Sequence, residues 1–90
     1  MIIDNIKTAL RIKNIAYDTE IQGLIDACKK DLALVGIVNI VDTDALINRV
    51  IMIYCKANFG WNNPEADRLQ LSYNLLKQSL ALSGDYNALV

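Results

Sequence analysis

Residues 44–65 spell out one helix, its stop and the start of the next, and this punctuation limits the fold more than any other part of the chain. Asp44 precedes Ala45, Leu46, Ile47, Val50, Ile51, Met52, Ile53, Tyr54 and Ala57, which together cover most of a helical circumference. A helix that is apolar nearly all round is buried, so the helix predicted from 45 to about Phe59 belongs at the centre of the domain. Only Asn48, Arg49, Lys56 and Asn58 give it a polar edge. Gly60 stops it, and Trp61-Asn62-Asn63 turns the chain. Asn63 then stands at N-cap and Pro64 at the first helical position, where its missing N–H is no loss. Glu65 and Asp67 oppose the positive end of the helix dipole. Phe59 and Tyr73 are expected to wedge the resulting hairpin together, since aromatic rings bury large areas. Trp61 reads equally as part of that wedge or as an anchor for another protein.

The flanking segments are also helical. Ile6, Ala9 and Leu10 share one side of a short helix over 4–11, with Asp4 as its N-cap. After a break at 13–17, Asp18 is the next N-cap. Ile21, Leu24, Ile25, Cys28, Leu32 and Val35 recur at steps of three and four until Gly36 supplies the stop. The fourth helix carries Leu69, Tyr73, Leu76 and Leu80 as its main stripe, and Leu71, Leu75 and Leu82 as a second stripe well round from the first. Two stripes predict two contacts, one to the domain's own core and one elsewhere, or else a deep groove in the monomer. Between the second and third helices, Ile37-Val38-Asn39-Ile40-Val41 is too short to be a helix. It is either a lid over its own core or an apolar arm that docks on a neighbour. The expected architecture is one all-α, four-helix domain over 1–90, with a flexible tail at 82–90.

A 90-residue domain buries only about 60–65% of the surface its unfolded chain exposes. Apolar residues nevertheless make up 53% of this one, so some apolar surface must lie outside or be covered by a partner. The net charge of −1 and the dispersed lysines and arginines argue against direct reading of DNA sequence, which calls for a basic stripe. There is no histidine to act as a base or zinc ligand, no CxxC pair and no glycine-rich phosphate loop. Asp42 and Asp44 read as helix-capping residues, and Asp26 with Lys30 as a surface i,i+4 pair. Cys28 and Cys55 fall on apolar faces as small hydrophobes, although their spacing leaves a disulfide open. Residues 1–15 lack a signal-peptide core. The window Ala45–Cys55 is too short to cross a bilayer. The expectation is a cytoplasmic-type protein that is not an enzyme, takes no metal or cofactor and does not enter a membrane.

Taken in order, A-L-R-I (9–12), Y-D-T-E-I-Q-G-L-I-D-A (17–27), K-D-L (30–32), A-L-I-N-R-V-I-M-I-Y-C-K-A-N-F-G (45–60) and L-Q-L-S-Y-N-L-L-K-Q-S-L-A-L-S (69–83) resemble the small head–tail connector proteins of tailed bacteriophages and prophages. The most specific pieces are Y-C-K-A-N-F-G (54–60) and S-Y-N-L-L-K-Q-S-L-A-L-S (72–83). The resemblance implies a virion protein of the head–tail neck, assembled in the host cytoplasm. It implies a homo-oligomeric ring of about twelve copies closed by head-to-tail contacts. The ring's partners would be the portal protein above and stopper or tail-completion proteins below, with DNA only as cargo in the channel. It transfers no catalytic residue. Candidate subunit or portal contacts are Ile37, Ile40, Trp61, Leu71 and Leu75, with Asp85, Tyr86 and Leu89 of the tail as docking residues. The alternative is a small helical regulatory or protein-interaction module.

Overall fold

A computed structural model describes residues 2–60 and 63–87. Four helices follow one another: α1 (Ile2–Leu10), α2 (Asp18–Leu34), α3 (Ala45–Asn58) and α4 (Ala66–Leu82), with a 3-10 turn, Ile15–Tyr17, leading into α2. The expected all-α class holds, and no strand occurs among the described residues. As its composition requires, α3 is the central element, packing on α1, α2 and α4. Ile47, Val50, Ile51 and Cys55 of α3 have no exposed surface. Asp44 caps this helix as expected: its Oδ1 accepts the N–H of Leu46 at 2.9 Å and of Ile47 at 3.2 Å.

The outer helices start differently from expectation. Asp4 lies inside the first turn of α1, because starting the helix at Ile2 sets Ile2 and Ile6 one turn apart in the core. Asp18 is likewise the first helical residue of α2 and not its N-cap. The capping side chain is Asn14, whose Oδ1 accepts the Ala16 N–H at 2.7 Å and opens the 3-10 turn. Asp18 is thereby free to pair with Lys7 of α1 at 2.7 Å. In α4 the regular helix begins two residues beyond Pro64. Asn63 still organises the entry, accepting the Glu65 N–H at 3.0 Å while its amide donates to the Lys56 carbonyl at 2.8 Å.

Gly36 ends α2 as predicted, with φ 88°. The N–H of Gly36 bonds to the Ala33 carbonyl and that of Ile37 to the Leu32 carbonyl, the paired closure that favours glycine in the left-handed position. The same closure ends α1, but there Arg11 holds the left-handed position with φ 60°. Tyr54 and Tyr73 meet edge to face at 5.0 Å between α3 and α4. Phe59 meets Tyr17 edge to face at 5.7 Å, which ties the end of α3 to the start of α2, and it packs against the core. Cys28 and Cys55 are buried, free thiols.

Candidate assembly surface

The two stripes of α4 separate in the structure. Tyr73 and Leu80 are buried in the core, with Leu69 and Leu76 half-buried beside them. At about 100° per residue, Leu71, Leu75 and Leu82 fall within an arc of about 40° on the opposite side. They are 59%, 57% and 85% exposed. The alternative of a deep groove in the monomer therefore does not describe them. Ser72, Asn74, Gln78 and Ser79 flank the leucines. Lys77 is the one charged residue between 71 and 82, and it turns inward. The outward face of α4 is thus an uncharged surface about 16 Å long, on a chain in which 21% of residues are charged. Depletion of charge around apolar side chains is the composition of an interface core.

A part-buried polar cluster holds this face in place. Asp31 of α2 accepts the Tyr73 hydroxyl at 2.5 Å and the Lys77 ammonium at 2.9 Å, both on Oδ2. The same ammonium lies 5.0 Å from the Tyr73 ring centre, and the Cys28 thiol donates to the Tyr73 oxygen at 3.8 Å. Partial burial pushes the Asp31 carboxyl upward, but the hydrogen bonds from Tyr73 and Lys77 outweigh it and hold its pKa below the usual value. Burial, then the bond to Asp31, pushes the Tyr73 phenol strongly up. The cluster fixes the rotation of α4 about its axis, and so the direction in which Leu71 and Leu75 point.

The loop between α2 and α3 settles differently from the arm that was one of its two expected forms. Ile37 is 2% exposed and Ile40 packs against the core, so both belong to their own subunit's interior. The tail closes over them. Ile37 and Asn87 form an isolated antiparallel bridge, the Val38 N–H bonds to the Tyr86 carbonyl, and the Asn39 amide donates to the Asp85 carbonyl at 3.2 Å. The Tyr86 hydroxyl donates to the Asp44 carboxylate at 3.0 Å. Residues 85–87 are therefore a strap docked on their own loop, and α4 itself runs to Leu82 inside the segment expected to be a flexible tail. Trp61 and Leu89 lie outside the described residues. Asp26 also departs from expectation, accepting the Gln22 amide at 3.0 Å in place of pairing with Lys30.

Among the described residues no three histidine, cysteine or acidic side chains gather as a metal site, and no helix is long and apolar enough to cross a membrane. Burial pushes the Cys28 and Cys55 thiols up to about 12, which makes them poor nucleophiles. What the surface offers is an exposed apolar face on α4. A comparison with protein-family models matches residues 2–87 to the phage connector proteins. The chain belongs to the phage connector protein family. This connector is accordingly a phage structural protein of a non-enzymatic family. Neither curated proteins nor solved structures gave a match. Sequence reading reached the connector's exposed leucines through their spacing but left Leu82, the most exposed of them, off the list of candidate contacts. It also missed Asp31. Tyr73 and Lys77, one turn apart on the inner side of α4, carry the signal that an anion should face them.

Proposed function

We propose that the chain is the repeating subunit of a connector ring of about twelve copies, closed by a head-to-tail contact. The ring sits beneath the portal and joins the DNA-filled head to stopper or tail proteins. The observation that supports this reading is the uncharged leucine face of α4, which the described residues leave uncovered. In the ring that face packs on the adjacent subunit. The exposed parts of Leu71, Leu75 and Leu82 amount to about two whole leucine side chains, worth about 3–6 kcal/mol if fully buried. Association costs about 4–15 kcal/mol in lost rigid-body freedom. Burial of these three leucines alone therefore breaks even at best, and the ring needs further contact area, the portal as a template or many contacts closing together.

The test is native mass spectrometry of the purified chain, alone and with the portal protein of the same genome. A closed oligomer of about twelve copies, free or on the portal, is the expected result. Leu71→Asp with Leu75→Asp should abolish it while leaving helical circular dichroism unchanged, since exposed substitutions alter stability by only about 0.5 kcal/mol. A chain that never binds the portal refutes the reading. Loss of helicity in the variant would instead return the two leucines to the monomer's core.

A further inference from the structure

Gly23 stands in the interior of α2, where glycine weakens a helix relative to alanine. Its backbone is ordinary helix, and a Cβ placed on it would meet nothing within 4 Å. Neither a left-handed turn nor close packing inside the subunit therefore calls for glycine at this position. The residue lies in a hollow of about 520 Å³ between α1 and α2, lined by Ile3, Asp18, Thr19, Gln22, Gly23 and Asp26. Thr19, Gln22, Gly23 and Asp26 are all exposed and are spaced i, i+3, i+4 and i+7. Four residues so spaced on one helix face surround a hole that receives a side chain from a second helix. Glycine deepens the hole, and Ile3 of α1 gives it an apolar wall.

The hollow lies on the side of the molecule away from α4. Gln22 and Asp31 are nine residues apart on α2, about two and a half turns, and so point to opposite sides of that helix. Asp31 meets Tyr73 and Lys77 of α4, whereas Gln22 borders the hollow. Leu71, Leu75 and Leu82 face away from the layer that α2 and α3 form, so the leucine ridge and the hollow stand back to back. In a ring of about twelve copies each neighbour is turned by about 30°, and the two surfaces that meet must lie nearly back to back on one subunit. The groove beside the exposed Leu34 fails that condition, since Tyr73 and Lys77 of α4 form one of its walls. Spacing and polarity agree with the pairing. Leu71 and Leu75 are one i,i+4 step apart, about 6 Å along the axis, as are Thr19 and Gly23. No acidic residue lies between 71 and 82 to oppose Asp18 and Asp26, and Asn74 and Gln78 bring amide donors beside the leucines. We infer that Leu71 and Leu75 of one copy insert as knobs at Gly23, between α1 and α2 of the next copy. The inference rests on the proposed ring and names the surface that receives its α4 face.

The experiment is disulfide trapping between full-length chains, mixed in equal amounts, alone and on the portal protein of the same genome. One chain carries Leu75→Cys and the other Gly23→Cys, while the buried Cys28 and Cys55 stay out of the reaction. The expected product is the mixed dimer joined between positions 23 and 75, in excess over either self-dimer. It should also exceed the product of Leu75→Cys with Leu34→Cys. A second variant, Gly23→Met, fills the hole. A side chain at 23 has open space within its own subunit, so the thermal midpoint of the dilute chain should rise by a few degrees. Association should fall at least about fivefold, the smallest loss that overfilling a packed site brings. Undiminished assembly of Gly23→Met, trapping between positions 34 and 75, or a dominant Leu75→Cys self-dimer would overturn the inference while leaving a ring in place. Absence of the mixed dimer both alone and on the portal would overturn it as well. A mixed dimer without a closed oligomer would support the contact and refute the ring, so the two readings can fail independently.

Discussion

The Tyr73 hydroxyl is the atom whose removal tests the internal architecture most sharply. Tyr73→Phe keeps the buried ring, its edge-to-face contact with Tyr54 and the Lys77 ammonium over its face. It deletes the donor to Asp31 and the acceptor for the Cys28 thiol. A hydrogen bond to a charged group contributes about 1.5–3 kcal/mol. The Asp31 side chain is 36% exposed, so water partly replaces the lost donor and the low end applies, about 1.5 kcal/mol. For a domain of this size that lowers the thermal midpoint by about 6–12 °C. The loss should also depend on pH. The Asp31 carboxyl is held below its ordinary 3.8, so its contribution is present above that value and is lost as pH falls through the folded pKa. Without the Tyr73 donor its pKa moves back toward 3.8, and the deficit of the variant shrinks below about pH 4. Urea unfolding of both proteins at pH 7 and pH 3, with unchanged m-values, reads this directly. A deficit below about 0.5 kcal/mol at pH 7, or one identical at the two pH values, would refute the account of the cluster.

The helix end at Arg11 and the buried thiols carry further expectations. Arg11 closes α1 in the left-handed region at φ 60°, so Arg11→Gly should stabilise the chain by about 0.5–1 kcal/mol, read as a rise of a few degrees in the thermal midpoint. An unchanged or lower midpoint would show that the arginine side chain offsets its backbone cost. The thiols of Cys28 and Cys55, pushed up to about 12 by burial, favour the folded state fully below their ordinary value of 9.0 and lose that contribution as pH rises above it. Each should cost about 1.4 kcal/mol by pH 10, seen as a falling urea midpoint. Both should resist iodoacetamide in the native state at pH 8, and alkylation at the rate of a free thiol would contradict their burial.

The elements that periodicity specifies were readable in advance. The all-round apolar run of α3 required a central helix, Asp44 and Gly36 marked two boundaries, and the steps of three and four in α4 separated an inner stripe from an outer one. What escaped depends on pairings between distant residues. Asp31 meets Tyr73 and Lys77 across more than forty positions, and Ile37 meets Asn87 across fifty. No local pattern encodes either pairing. The misplaced starts of α1 and α2 have a related cause: an aspartate near a helix start can serve as cap, first-turn anion or partner for a cation on another helix. Lys7 decided that choice for Asp18 from outside the local sequence.

The strap over the loop at 36–44 grips mainly by main-chain groups and by Asn39, with Tyr86 closing on the cap residue Asp44. The side chains of Val38 and Val41 make none of these hydrogen bonds, and the two residues are about half exposed, 41% and 51%. Anchoring and display are thus assigned to different atoms of the same few residues. Mutation can rewrite the exposed lettering of this loop while its shape stays fixed, which gives the subunit a surface able to diverge rapidly at little cost to folding.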